Sequence, residues 1–95
     1  MENQFERVIN VLGKENLEKL QNSHVVLFGL GGVGSFSAEA LVRSGIGKMT
    51  IVDSDKVEPS NLNRQLEAVQ TTVGQDKTDA LKERMLSINP DIQVI

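Results

Sequence analysis

The stretch HVVLFGLGGVGS, residues 24–35, limits what this chain can fold into more than any other. A continuous β-branched and apolar run, HVVLFGL, ends in glycines spaced Gly29-x-Gly31-x-x-Gly34, with Gly32 between them. Such a run suits a strand covered on both faces, as in a parallel sheet. Residues 34–44 then change to helical period, with Phe36, Ala40 and Leu41 as the expected buried stripe. Glu39 and Arg43 make an exposed i,i+4 pair, and Gly45 is placed to end the helix in the left-handed conformation. KMTIVD, residues 48–53, reads as a second strand. One helix thus joins two apolar strands through short turns, which is a βαβ unit with a right-handed crossover.

The flanks extend this pattern. Phe5, Val8, Ile9 and Leu12 fall at helical spacing before Gly13, and residues 14–22 carry Leu17 and Leu20 on one face of a second helix. After a polar loop, Leu81, Met85 and Ile88 mark a helix over 75–89, stopped by Asn89-Pro90, and DIQVI at 91–95 begins a third strand. The expected class is α/β: the N-terminal half of a Rossmann-like, doubly wound parallel sheet, preceded by two N-terminal helices. Residues 1–22 form the helical segment and 23–95 the nucleotide-binding half-domain. Three parallel strands in this order leave the first and most apolar strand with an open edge. The expectation is a domain that continues past Ile95. The plainer alternative is a small complete domain whose edge the N-terminal helices cover.

The chemistry follows from the same spacing. Gly29 permits the tight turn off the strand, Gly31 lets backbone approach a phosphate, and Gly34 allows close packing of helix on strand. Free N–H groups near Ser35 and Phe36 are expected to face an anion at the helix start. Asp53 ends the second strand about 20 residues further on, where a carboxylate accepts ribose hydroxyls. Asp55 is open to the ribose, to magnesium or to water. To this point NAD and ATP are served equally.

NLNRQ, residues 61–65, adds Asn61 and Arg64 beyond the crevice, and Lys77 opens the next helix. A triphosphate carries more charge than a dinucleotide pyrophosphate, and an arginine fork with a lysine point charge suits it. Lys77 also sits where a cation opposes the helix dipole, a conflict that a bound anion would remove. The plain alternatives are a solvated Arg64 and a Lys77 neutralised by Asp76 and Asp79. His24 has no ligand or base partner at useful spacing and reads as structural; Ser35 and Ser37 read as helix-start residues.

Composition excludes several classes. With no cysteine, the chain has no disulfide, thiolate zinc site or cysteine nucleophile of its own. A net charge of −3 gives no global attraction to nucleic acid or anionic membrane. No apolar run is long enough to span a bilayer and MENQFERVIN lacks a signal-peptide layout, so the expected setting is cytoplasmic, with no membrane partner.

Over nearly its whole length the chain resembles the ThiF/MoeB/HesA superfamily of adenylating enzymes, relatives of the ubiquitin-activating enzymes. The resemblance rests on GxGGxGS at 29–35, RSGIGKMTIVDSDKVEPSNLNRQ at 43–65, TVGQDK at 72–77 and INP at 88–90. Val33 with Ser35, ALVRSGIG at 40–47 and Asn63 make it most similar to the tRNA threonylcarbamoyladenosine dehydratase branch; the sulfur-carrier-activating branch shares most of these positions. The resemblance implies ATP with Mg2+. It assigns nucleotide to Gly29, Gly31, Gly32 and Gly34, ribose to Asp53, and phosphates to Asn61, Arg64 and Lys77. Arg7, in FERVINVLG, matches an arginine that in relatives reaches ATP bound by the partner subunit of a homodimer. The implied reaction adenylates a carboxylate on a modified adenosine of tRNA, after which the side-chain amine closes a ring. A sulfur-relay or carrier protein is the alternative partner, and an NAD-binding module the alternative from another class. The family's further metal-binding aspartate has no counterpart up to Ile95, which leaves no metal ligand assigned here and implies that this stretch does not catalyse alone.

Overall fold

Parallel pairing of β1 (His24–Phe28) with β2 (Lys48–Val52) forms the centre of the fold, seen in a computed structural model that describes residues 4–95. The register runs from His24 opposite Lys48 to Phe28 opposite Val52, and β3 (Gln93–Val94) pairs with the other edge of β2, also in parallel. The order is therefore β1-β2-β3, with β1 at an edge. The crossover between β1 and β2 is α3 (Gly32–Ser44), and α4 (Lys77–Ile88) returns the chain to β3. Two short helices, α1 (Glu6–Leu12) and α2 (Lys14–Gln21), precede the sheet. The α/β, Rossmann-like half-sheet expected from the sequence is what forms.

One face of the sheet carries the core. Met49 and Ile51 of β2 and Val94 of β3 join Ala38 and Val42 of α3, Leu81 and Met85 of α4, and Leu30, Ile46 and Ile92 in a single buried cluster. Val25 and Leu27 pack at its edge. The opposite face, with Val26, Phe28 and Val52, is exposed. The expectation that β1 is covered on both faces is thus not met, because α3 and α4 both pack on the Met49–Ile51 side.

The buried stripe of α3 also differs from the expected one. Ser35, Ala38 and Val42 face inward, Leu41 is half-buried, and Phe36 is 56 % exposed with Ala40 exposed beside it. The helix begins at Gly32, two residues before the expected start, and its inward face is set by small residues that let it lie close to β1. Glu39 pairs with Arg43 as expected, at 3.4 Å, and also accepts from Arg84 Nε of α4 at 2.6 Å. The Arg84 hydrogen bond, more than the Arg43 charge, holds the Glu39 carboxyl below the usual glutamate range and ties the two helices together. Gly45 ends α3 with φ 110° in the left-handed region.

Leu81 is fully buried at the centre of the cluster. Leu81→Ala is expected to destabilise the protein by about 2–5 kcal/mol, read from the shift in a urea-unfolding midpoint at unchanged slope.

Candidate functional site

The glycine loop is held by its own ends. Gly29 takes φ 88°, a conformation that glycine adopts without strain, and its N–H donates to the Val52 carbonyl at 2.8 Å. The chain then drops Leu30 into the core, where its side chain is fully buried. The Leu30 N–H donates to Asp53 Oδ2 at 2.7 Å. Gly34 lies so close to the strand end that a Cβ there would overlap the Gly29 carbonyl. The roles read from the sequence for Gly29 and Gly34 therefore have direct geometric causes.

Gly31 caps α3 in an extended conformation, and a Cβ there would meet open space. No side chain caps this helix and no acidic residue lies in its first turn. Ser35 N–H, expected to be free, instead donates to the Gly31 carbonyl at 2.9 Å, and Phe36 lies inside the helix. The unpaired backbone donors are those of Gly31, Gly32, Val33 and Gly34, which have no protein acceptor among the described residues. The shift follows from the early start of α3, since orphan N–H groups always belong to the first turn. These donors and the helix dipole face the same side and suit an anion.

Asp53 is shared. Its Oδ1 accepts the Asp55 N–H at 2.7 Å while Oδ2 holds Leu30, so the carboxylate orders both its own loop and the glycine loop. Each oxygen keeps a lone pair for a further donor such as a ribose hydroxyl. Asp55 is exposed, and its carbonyl accepts the Lys77 N–H at 3.0 Å. Lys56 bridges antiparallel to Asp76, and Val57 bonds both Gln75 and Gly74. The loop after β2 and the start of α4 are thereby zipped together, bringing Lys77 beside the Asp53 turn.

The NLNRQ segment closes the other side. Pro59–Asn61 forms a 3-10 turn in which Asn61 Oδ1 accepts the Glu58 N–H at 2.8 Å, leaving the amide nitrogen of Asn61 as a donor. The Arg64 side chain lies against Gly32, with its Nη1 bonded to the Ser60 carbonyl and Asn63 Oδ1 at 2.9 and 3.0 Å. The guanidinium edge left over can act as a fork toward an anion at the loop. Ser35 had read only as a helix-start residue. It is fully buried, bonds Gly32 and accepts the Leu66 N–H at 3.3 Å, stitching α3 to this segment.

Lys77 is 6 % exposed and forms no ion pair with Asp76 or Asp79 among the described residues. The neutralised surface lysine considered from sequence is therefore not what forms. His24 bonds Thr50 on the neighbouring strand, as suits a structural residue. Arg7 is not brought to this site. It lines a recess with Val8, Val11, Leu12 and Ser44, at the far end of the 13-residue α3, ~20 Å from the glycine loop by helix rise. No group of three or more His, Cys, Asp or Glu side chains that could hold a metal lies together among the described residues. No helix among the described residues is long and apolar enough to cross a membrane.

Comparison with known proteins gives the family and the fold. Residues 5–95 match the ThiF family. The chain is 54 % identical over 95 residues to the tRNA threonylcarbamoyladenosine dehydratase of Bacillus subtilis, covering 100 % of this chain and 37 % of that protein. It is 46 % identical over 78 residues to the ubiquitin-like modifier-activating enzyme 5 of Dictyostelium discoideum, covering 82 % of this chain and 20 % of that one. The crystal structure of the Escherichia coli tRNA N6-threonylcarbamoyladenosine dehydratase in complex with ATP superposes with a TM-score of 0.93 at 40 % identity, over 96 % of this chain and 37 % of that one. The chain thus spans little more than a third of the length of the dehydratases it matches.

The Asp53 arrangement makes a specific demand on stability. Asp53→Asn keeps the shape but offers one acceptor where two N–H groups point, so it is expected to cost about 1–3 kcal/mol. Hydrogen exchange at the Leu30 and Asp55 amides should rise while that of the amides of residues 82–88 in α4, measured under conditions of local opening, stays unchanged.

Proposed function

The chain belongs to the ThiF family, and from that premise we propose that it is the nucleotide-holding part of an ATP-dependent adenylating enzyme acting on a carboxylate in tRNA. The observation that carries this reading is a glycine loop whose first-turn N–H groups are free, with Arg64 lying against Gly32 and Lys77, buried and without an ion pair among the described residues, held by its N–H on the Asp55 carbonyl just past Asp53. The pyrophosphate of a dinucleotide is largely met by the loop and the helix N-terminus; the added cations suit a triphosphate and its departing pyrophosphate. The ATP complex of the similar E. coli dehydratase supports the same choice.

In this reading Gly29, Gly31, Gly32 and Gly34 cradle the nucleotide and Asp53 accepts the ribose hydroxyls. Asn61, Arg64 and Lys77 orient the phosphates. The substrate carboxylate oxygen attacks the α-phosphorus and pyrophosphate leaves; a nitrogen of the same modification then attacks the acyl carbon, closing the ring and releasing AMP. The protein's contribution is positioning and stabilisation of charge, so the reaction needs no nucleophile from the chain. Magnesium bound to the triphosphate would supply further charge neutralisation, and exposed Asp55, two residues past Asp53, is a carboxylate that could hold it. Arg7 serves the site of a second copy in a homodimer, since one copy holds it at the wrong end of α3. The setting is cytoplasmic, where tRNA is found. Activation of a ubiquitin-like carrier is the second reading, supported by the similarity to modifier-activating enzyme 5.

The intact protein is expected to release pyrophosphate from ATP in the presence of tRNA bearing N6-threonylcarbamoyladenosine. Stimulation only by a carrier protein ending in Gly-Gly would favour the second reading, and stimulation by neither would contradict adenylation. Arg64→Ala should lower this rate by about 10²-fold with unfolding midpoints unchanged, because the side chain is exposed.

A further inference from the structure

Behind the exposed Arg64, the chain turns inward: Gln65, Glu67 and Ala68 are all buried. Glu67 is 2 % exposed, and neither of its carboxyl oxygens has a hydrogen-bond partner among the described residues. Gln65 Oε1 is likewise buried and unpartnered. A buried carboxylate without partners is costly, so such a group stays neutral or finds a cation.

The groups around it are identifiable. Burial raises the Glu67 pKa above the ordinary glutamate value, and the charge of Asp53, at the end of β2, raises it further. The residue's own backbone N–H, which makes no hydrogen bond to the carboxyl, and the charge of Lys77 at the start of α4 act in the opposite sense. Glu83 and Arg84 of α4 line the same cavity, which also takes in Thr71, Thr72 and Gln75; Arg84 is occupied by Glu39. Lys77 is the one cation acting on Glu67 that has no counter-ion among the described residues. Ala68, next to Glu67, packs in one buried cluster with Val57 and with Ala80 in the first turn of α4, so the Glu67 segment lies against the turn that Lys77 opens. A buried carboxyl and a buried ammonium thus sit on adjoining segments with no ion pair between them, and the ammonium is the one that the phosphate reading requires.

We propose that Glu67 is a positioning residue for Lys77, releasing the ammonium to the nucleotide phosphates when neutral and drawing it back as an internal ion pair when ionised. The proposal rests on the phosphate role given to Lys77 above. Phosphate and the Glu67 carboxylate compete for one ammonium and repel each other. By linkage, nucleotide binding favours the protonated acid, and protonation favours nucleotide. The sign for stability is the same: a raised folded-state pKa contributes fully below the ordinary glutamate value and is lost as pH rises through the folded value. Glu67→Gln, permanently neutral, is therefore expected to fold and to be more stable than the parent at neutral pH.

The test is ATP binding to the intact protein by calorimetry, from about pH 5.5 to about pH 8, for wild type and Glu67→Gln. ATP titrates in this range itself, so the difference between the two proteins is the readout. Wild type should lose about tenfold in affinity relative to Glu67→Gln as Glu67 ionises, one pKa unit of coupling being tenfold. Parallel pH profiles with tight ATP binding would overturn the Glu67 role and leave the nucleotide site standing. Absence of ATP binding at every pH would overturn the nucleotide reading and this proposal with it. A 13C titration of the Glu67 carboxyl in wild type gives a second measurement independent of the variant. Its pKa should move up when ATP is added, and an unmoved value would contradict the proposal.

Discussion

The Leu30 N–H donating to Asp53 Oδ2 is the contact on which the rest of the site depends. It joins the turn after β1 to the end of β2 with a charge-assisted hydrogen bond, stronger than a neutral one. A glycine-rich loop has high conformational entropy when free, and something must hold it in one shape. Here the loop is fixed from both sides of a single residue: the Leu30 side chain sits in the core and its N–H sits on Asp53. The Asp53 side chain can do this only because β1 and β2 pair in register, Phe28 opposite Val52, so that both strands end together.

Around that clamp the remaining pieces lock in succession. Asp53 also holds Asp55, the Asp55 carbonyl holds Lys77, and the Lys56–Asp76 bridge fixes the entry to α4. On the other side Ser35 takes the Leu66 N–H while Arg64 lies on Gly32. Three segments far apart in sequence are thus tied in series: 29–35 to Asp53 and to the Arg64–Leu66 stretch, and 74–77 to 55–57. Preorganised donors of this kind act without rearrangement when charge arrives, which is what phosphoryl chemistry requires of a protein.

Much of this was legible in the residues. The switch from a β-branched run to helical period across Gly29–Gly34 located the βαβ unit. Pro and Gly at 90 and 45 marked where helices stop, and Asp53 was found by its place at a strand end. Other features depended on tertiary geometry that no spacing encodes. The inward face of α3 is Ser35, Ala38 and Val42 rather than the bulkier Phe36 and Leu41, because close approach to β1 selects small residues over large ones. The bare sheet face at Val26, Phe28 and Val52 could not be told from a covered one, since the apolar run reads the same either way. Glu67 looked like any loop glutamate in RQLEAVQ; its burial comes from a fold of the 65–68 segment that has no period to read. Arg7 carried no signal beyond helical position, and the structure holds it with Val8, Val11, Leu12 and Ser44 at the far end of α3 from the glycine loop.

The most direct test of a phosphate-gathering ATP site is a titration of the intact, isotope-labelled protein with ATP and, separately, with NAD(H), following backbone amides by NMR. The account predicts that ATP shifts the Gly31–Gly34 amides together with those of Asn61, Arg64 and Lys77, while NAD(H) leaves the last three unmoved. Tight NAD(H) binding confined to the glycine loop, with no response to ATP, would contradict it.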